Sequence, residues 1–247
     1  MGGGDSHEVQ HHHHYTTVIK NDPVLEATVK EQEAKILVIE EEARKAHDPQ
    51  LYVTNMAKQF DEFVDKLPTL TLTDIIQKQT GETHIGIIGP VSAGKTSFIN
   101  ALYNKNLPVA MSHCTDKCEV VHKEKLTCVW DLVGTNNDFK FYDPTNLSFI
   151  KSLDKCVILF CDDINMISNI LKVIYAIKQE QMIIVRTKCD TYSANNLRTI
   201  AQECALDTKK VRELLDNQTI QTYCISSNNI INKQKEHFDW NKVKELL

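Results

Sequence analysis

Residues 84 to 97 read His-Ile-Gly-Ile-Ile-Gly-Pro-Val-Ser-Ala-Gly-Lys-Thr-Ser. From Gly89 to Thr96 this is the spacing G-x-x-x-x-G-K-T, set between an apolar run and a helical pattern. That context is the one in which such a loop cradles phosphate. Gly89 and Gly94 let the backbone wrap an anion where a side chain would clash. The amide N–H groups of Val91, Ser92, Ala93, Gly94, Lys95, Thr96 and Ser97 then face the anion, together with the positive helix N-terminus. Lys95 should reach the β- and γ-phosphates, and the Thr96 hydroxyl should bind Mg²⁺. A merely structural glycine loop has no need of Lys95 and Thr96 next in line.

Three further segments complete a nucleotide site. Asp131-Leu-Val-Gly134 begins 36 residues after Lys95, at the end of a strand-like run. A carboxylate there is placed to hold Mg²⁺ through water, and the Gly134 N–H can meet the γ-phosphate. Within Ser112-His-Cys-Thr-Asp116, Thr115 lies twenty residues after Lys95. Its hydroxyl is placed to join Mg²⁺ and its N–H to sense the γ-phosphate. Thr187-Lys188-Cys189-Asp190 closes the strand Met182–Arg186. Asp190 can accept hydrogen bonds from guanine N1–H and the exocyclic N2 amine, which adenine cannot offer. A buried acceptor left unpaired rejects the wrong base strongly. The Lys188 stem can lie over the purine ring. Ser226, Ser227 and Asn228 follow the last strand and can offer backbone N–H groups to guanine O6. The reading is GTP or GDP with Mg²⁺; an ATP-using enzyme is a distant alternative.

These loops need a scaffold. Strand patterns cover His84–Ile88, Cys118–His122, Leu126–Trp130, Cys156–Cys161, Met182–Arg186 and Thr222–Ile225. Helical patterns cover Thr96–Tyr103, Leu147–Leu153, Met166–Ile177, 193–205, 207–216 and Trp240–Leu247. The alternation predicts an α/β domain over 83–247, a mostly parallel sheet with helices on both faces. Before it lies a helical region, 23–80. Leu25, Val29, Gln32, Ile36, Ile39, Ala43 and Ala46 form a heptad seam with one polar position. That seam serves either self-association or packing on its own domain. A second helix runs over Leu51–Lys66, and Thr73 reads as the N-cap of a third over Asp74–Thr80, with Gly81 as its stop.

Residues 1–22 read as a disordered tail containing a four-histidine run, His11 to His14. Gly2, with Ser6 downstream, fits the N-myristoylation pattern. One acyl chain holds a membrane only marginally, so a second signal is needed. Residues 1–47 carry five Lys/Arg against nine Asp/Glu, so a basic patch is not that signal. Oligomerisation, which multiplies anchors, is the remaining candidate. The net charge of −5 gives no basic excess for nucleic acid. No run of 18 apolar residues suggests a transmembrane helix, and no secretory leader is visible. The eight cysteines read as reduced thiols, and no second pair completes a zinc site.

The segments Gly89–Leu102, Trp130–Gly134, Val185–Asp190 and Phe238-Asp-Trp240 resemble the interferon-inducible immunity-related GTPases. The resemblance covers most of 84–247. It implies a Ras-like G domain, membrane association and GTP-dependent self-assembly in cell-autonomous defence or membrane remodelling. Family members usually continue into a C-terminal helical half, whereas this sequence ends at Leu247. Where many small GTPases place a glutamine to orient water, this chain has Thr135, and residues 105–117 contain no arginine. The expected activity is slow Mg²⁺-dependent GTP hydrolysis, speeded by a partner or by a homo-oligomer formed through the G domain or the N-terminal helix. The site is expected to be cytoplasmic, at a membrane surface reached by the acyl chain. The alternative is a GTP-binding scaffold that hardly turns over and uses its N-terminal helices to bind partners.

Overall fold

The strand β4, Lys155–Phe160, shows how the chain builds its centre. Cys156, Ile158 and Phe160 bury on one face, Val157 and Leu159 on the other. A strand buried on both faces reads as one continuous apolar run, as parallel sheets require. The computed structural model describes residues 23–46, 49–70, 72, 74–76, 78–107, 119–132, 144–191, 199–234 and 238–247. The other strands are β1 (Thr83–Ile88), β2 (Glu119–Glu124), β3 (Thr127–Asp131), β5 (Met182–Arg186) and β6 (Thr222–Cys224). Their order is β2-β3-β1-β4-β5-β6. Only the β2–β3 pair is antiparallel; the others are parallel, in agreement with the expected fold class. Ile87 pairs with Asp131 across β1–β3 and with Val157 across β1–β4. Loops after β1, β3 and β5 therefore emerge along one edge, where open α/β sheets hold ligands.

Helices cover both faces. α3 (Lys95–Tyr103) and α8 (Trp240–Leu246) pack Phe98, Ile99, Trp240 and Val243 against Ile85, Val129 and Leu159. Phe98 meets Trp240 edge-on at 5.9 Å. On the other face lie α4 (Pro144–Ser152), α5 (Ser168–Lys178) and α6 (Ile200–Leu215). The N-terminal helices α1 (Pro23–Ala46) and α2 (Pro49–Lys66) join that side, where Phe63 and Leu67 enter the core. The seam of α1 faces α2: Gln32 and Ile39 are buried, and Gln59 of α2 donates to the Gln32 side chain. Within this single chain, Gln32 and Ile39 of the seam pack toward α2.

Three local expectations are corrected. Asp74–Thr80 is not helical in its described residues. The Ile75 N–H is taken by Ser152 Oγ at 2.7 Å, and Leu72 and Ile75 both bury, so the segment lies extended on the core. Gly81 sits in a turn rather than at a helix end. Thr73 lies outside the described residues. The two helices read over 193–205 and 207–216 are one described helix, α6, with 192–198 outside the description. It starts at Thr199, whose hydroxyl and the Gln202 side chain form a reciprocal capping box. It runs unbroken through the buried Asp207, which pairs with Arg186 of β5 at 2.7 Å. Met166–Ile177 is split: Ile164–Ile167 is a 3₁₀ turn capped by Asp163, and α5 follows from Ser168.

A buried polar chain pins the lower end of the sheet. The Trp130 indole donates to His84 Nδ1 at 3.0 Å, so the His84 proton sits on Nε2, facing Glu82 Oε2 at 3.3 Å. Glu82 also accepts from Lys123 Nζ at 2.8 Å and from the Gln79 N–H at 2.9 Å. The Lys123 ammonium and the Gln79 amide hold the Glu82 carboxyl at about 2, against an ordinary 4.5. Because the folded value is depressed, this stabilisation is full above pH 4.5 and lost as pH falls through about 2. Glu82→Gln should cost about 2 kcal/mol at neutral pH, the scale of hydrogen bonds to a charged group. Urea unfolding at pH 7, 4.5 and 3 should also show a shallower acid loss in the variant. An equal loss in both proteins would assign acid sensitivity to other carboxylates.

Candidate nucleotide site

β1 ends at Ile88 and α3 begins at Lys95, so Gly89–Gly94 forms the turn between them. Gly94 caps α3 with φ +86°, a conformation a side chain strains, and its carbonyl accepts the first helical bond from the Phe98 N–H at 2.9 Å. Gly89 meets a demand from the sheet as well: a Cβ there would stand 2.4 Å from the Leu159 carbonyl of β4, so the neighbouring strand forbids a side chain. Ala93 is buried, and its N–H closes on Pro90 O at 3.1 Å. Val91 and Ser92 are exposed, and Ser92 holds φ +67°. Strain of this kind in a non-glycine residue concentrates at ligand-holding loops. Lys95 Nζ is drawn over the loop by Gly89 O at 3.0 Å and Pro90 O at 3.3 Å.

The base loop is tied to this turn. The Thr187 hydroxyl is buried and donates to Ala93 O at 2.6 Å and Phe160 O at 3.1 Å. Its N–H also meets Phe160 O, at 2.8 Å. Thr187 thus braces the phosphate loop. Lys188 is exposed with φ +55°. The Cys189 N–H donates to Ile225 O at 3.1 Å and fixes the next residue, Asp190.

The Asp190 carboxylate is gripped at both oxygens. Ser226 Oγ donates to Oδ1 at 2.7 Å, and Asn228 Nδ2 donates to Oδ2 at 3.1 Å. Ser226 Oγ in turn accepts from the Asn229 N–H at 3.0 Å, capping the short helix α7 (Ser227–Ile231). Asn228 is steadied by Asn232 Nδ2 at 2.7 Å. Ser226, Ser227 and Asn228 are expected as backbone donors to O6, and two of their side chains do further work. The side chains of Ser226 and Asn228 orient Asp190, and the Ser227 hydroxyl is buried. The signal for Ser226 was available as a small hydroxyl residue opening a helical turn. The other missed group is Arg186, which ends an apolar strand, pairs with Asp207 and covers the Phe160 ring at 5.1 Å.

Asp131 is the last residue of β3 and is half-buried. The Leu132 N–H donates to Ile87 O at 3.1 Å, which holds the strand end beside β1. Thr96 and Ser97 sit in the first turn of α3, half-buried. A hydroxyl and a carboxylate are hard oxygen donors, the set that Mg²⁺ takes. Thr115, Gly134, Thr135 and Gly2 lie outside the described residues.

A model of the dynamin family matches residues 85–241, well over half of the chain. The chain belongs to the dynamin family. The matched segment of this dynamin-family chain spans the phosphate loop, Asp131 and the base loop, so it is a guanine-nucleotide-binding G domain. No curated protein matches the chain. Among solved structures, a GTP-binding protein from the archaeon Sulfolobus solfataricus in complex with GDP is 15% identical. That match covers 90% of this chain and 64% of the archaeal one, with a TM-score of 0.42. A probable GTP-binding protein, engB, is 14% identical over 66% of this chain and 98% of its own, with a TM-score of 0.44. Toc33 from Arabidopsis thaliana, with GDP and Mg²⁺, is 11% identical over 60% of this chain and 72% of its own, with a TM-score of 0.44.

Removing the Ser226 hydroxyl should uncouple Asp190 and uncap α7 together. Ser226→Ala is expected to weaken GDP about 10-fold, the loss of one hydrogen bond to a charged group. Ser226→Thr should restore most of it. Titration with a fluorescent GDP analogue measures both, and equal affinities in all three proteins would contradict the assigned role.

Proposed function

We propose that this dynamin-family protein is a Mg²⁺-dependent GTPase, slow alone and stimulated by a second copy or a partner at a membrane surface. The observation that carries the reading is the two-point grip of Ser226 and Asn228 on Asp190, in a loop bolted to the phosphate turn through Thr187. An acceptor fixed in that way reads the two donors on the guanine edge. The Lys95 ammonium neutralises β- and γ-phosphate oxygens. Thr96 and Asp131, with Thr115, would hold Mg²⁺, which supplies further charge neutralisation during phosphoryl transfer. The Gly134 N–H is assigned to the γ-phosphate. Thr135 offers no carboxamide to orient water, so the missing group comes from outside the protomer.

The finer assignment is to an immunity-related type of GTPase, supported by the runs Ser97–Leu102 and Val185–Asp190. Acylation of Gly2 supplies one membrane contact, and assembly multiplies it. Self-association through the G domain is favoured over the α1 seam, since that seam is occupied by α2. The scaffold reading, binding without turnover, draws on Thr135 and the absence of arginine in 105–117. Phosphate release per protomer should rise with protein concentration and fall about 10²-fold in Lys95→Ala, the scale for removing a transition-state donor. A fast, concentration-independent rate contradicts the need for a partner. A rate near zero at all concentrations with GTP still bound selects the scaffold.

A further inference from the structure

A cavity of about 360 Å³ lies between α1, α2 and α5. None of its lining residues belongs to the nucleotide loops. Its volume falls in the ~300–1,000 Å³ range of small-molecule sites. Its apolar walls are Val29, Ile36, Met56, Phe60 and Phe63. Val29 to Ile36 on α1 and Met56 to Phe63 on α2 each span two helical turns, about 10 Å. Two helices thus bound a slot whose length suits an extended chain of roughly eight carbons.

One polar group in this slot is unanswered. Gln32 lines it and is only 7% exposed. Its Oε1 accepts from Gln59 Nε2, but its own Nε2 is buried with no hydrogen-bond partner among the described residues. Native interiors seldom leave a donor in that state, because its lost hydration is not recovered. A ligand carrying an acceptor recovers it. The charged lining residues set the rest of the ligand. Glu33 and Asp61 are exposed, and Lys172 Nζ pairs with Asp61 at 2.5 Å. That pairing leaves the Glu33 carboxylate as the unbalanced charge among the lining residues. A carboxylate head is repelled there, and a neutral carbonyl is not.

We propose that this slot binds a neutral medium-chain acyl compound, an amide or ester of roughly eight carbons, whose carbonyl accepts from Gln32 Nε2. The alkyl chain lies between α1 and α2, where removal of apolar surface from water supplies the affinity. The Gln32 amide supplies orientation and selects the carbonyl. Phe63 also belongs to the domain core, and Asn169 and Lys172 come from α5. The ligand therefore touches the N-terminal helices and the G domain together and clamps one on the other. This site stands apart from the guanine reading and does not depend on it.

The test titrates the full chain with octanamide, octanoate and octylammonium by isothermal calorimetry. Octanamide is expected to bind with a Kd on the order of 0.1 mM. Octanoate, which is charged, and octylammonium, which has no acceptor, should bind at least ~10-fold more weakly. The unfolding midpoint should rise by about 3 °C at ten times the octanamide Kd. Gln32→Leu keeps the slot apolar and should weaken octanamide about 10-fold. Ala57 is an exposed lining residue, so Ala57→Trp should fill the mouth and abolish binding without unfolding the chain. GDP affinity should be unchanged in both variants. Octanoate or octylammonium binding as tightly as octanamide overturns the ligand class. Octanamide binding unchanged in either variant overturns the site. No binding at all, the result if residues 1–22 or a second copy fill the slot, overturns the proposal as well.

Discussion

One hydroxyl ties the nucleotide machinery together. Thr187 Oγ1 reaches the phosphate loop at Ala93 O and the end of β4 at Phe160 O from the head of the base loop. Two loops about ninety residues apart in sequence are thereby held as one body. Both acceptors are backbone carbonyls in a buried place, where an unmade hydrogen bond costs about 1–3 kcal/mol. The close seating of the phosphate loop on β4 imposes the same constraint from the other side, since Leu159 O leaves no room for a Cβ at Gly89. The phosphate loop and the base loop are held in place by sheet geometry, and preorganisation of that kind lowers the ordering cost of binding a ligand there.

The sheet can impose this geometry because it is buried on both faces. α3 and α8 close one side and α2, α4, α5 and α6 the other. The N-terminal helices belong to that second cover. Phe63 and Leu67 enter the same core as Trp130 and Ile158, and Lys172 of α5 pairs with Asp61 of α2 at 2.5 Å. Trp130 packs edge-on against Phe149 at 5.0 Å in that shared core.

Much of this was legible in the residues, and the failures have physical reasons. The strand runs and the G-x-x-x-x-G-K-T loop carry strong local signals: continuous burial and a strand-to-helix turn. Asp190 stood out as a candidate because its motif sits at a strand end. Its support was not, because Ser226 and Asn228 approach from 36 and 38 residues away, a contact that only the fold creates. The helix expected over 74–80 failed because tertiary burial of Leu72 and Ile75 and the Ser152 hydroxyl outweighed a weak local pattern. The second demand on Gly89 was missed because the crowding atom belongs to β4, which no reading of one loop reveals. The seam of α1 was periodic but silent about its partner, which proved to be α2.

The central claim is that a preset Asp190 reads two donors on the guanine edge. Competition binding of GDP, IDP and ADP to the full chain with Mg²⁺ tests it most directly. IDP keeps N1–H but lacks the N2 amine, and ADP offers neither donor. The account predicts that IDP binds roughly 10- to 100-fold more weakly than GDP, the value of one hydrogen bond to a charge. ADP should be weaker by about 10⁴-fold. ADP binding within about tenfold of GDP would contradict it.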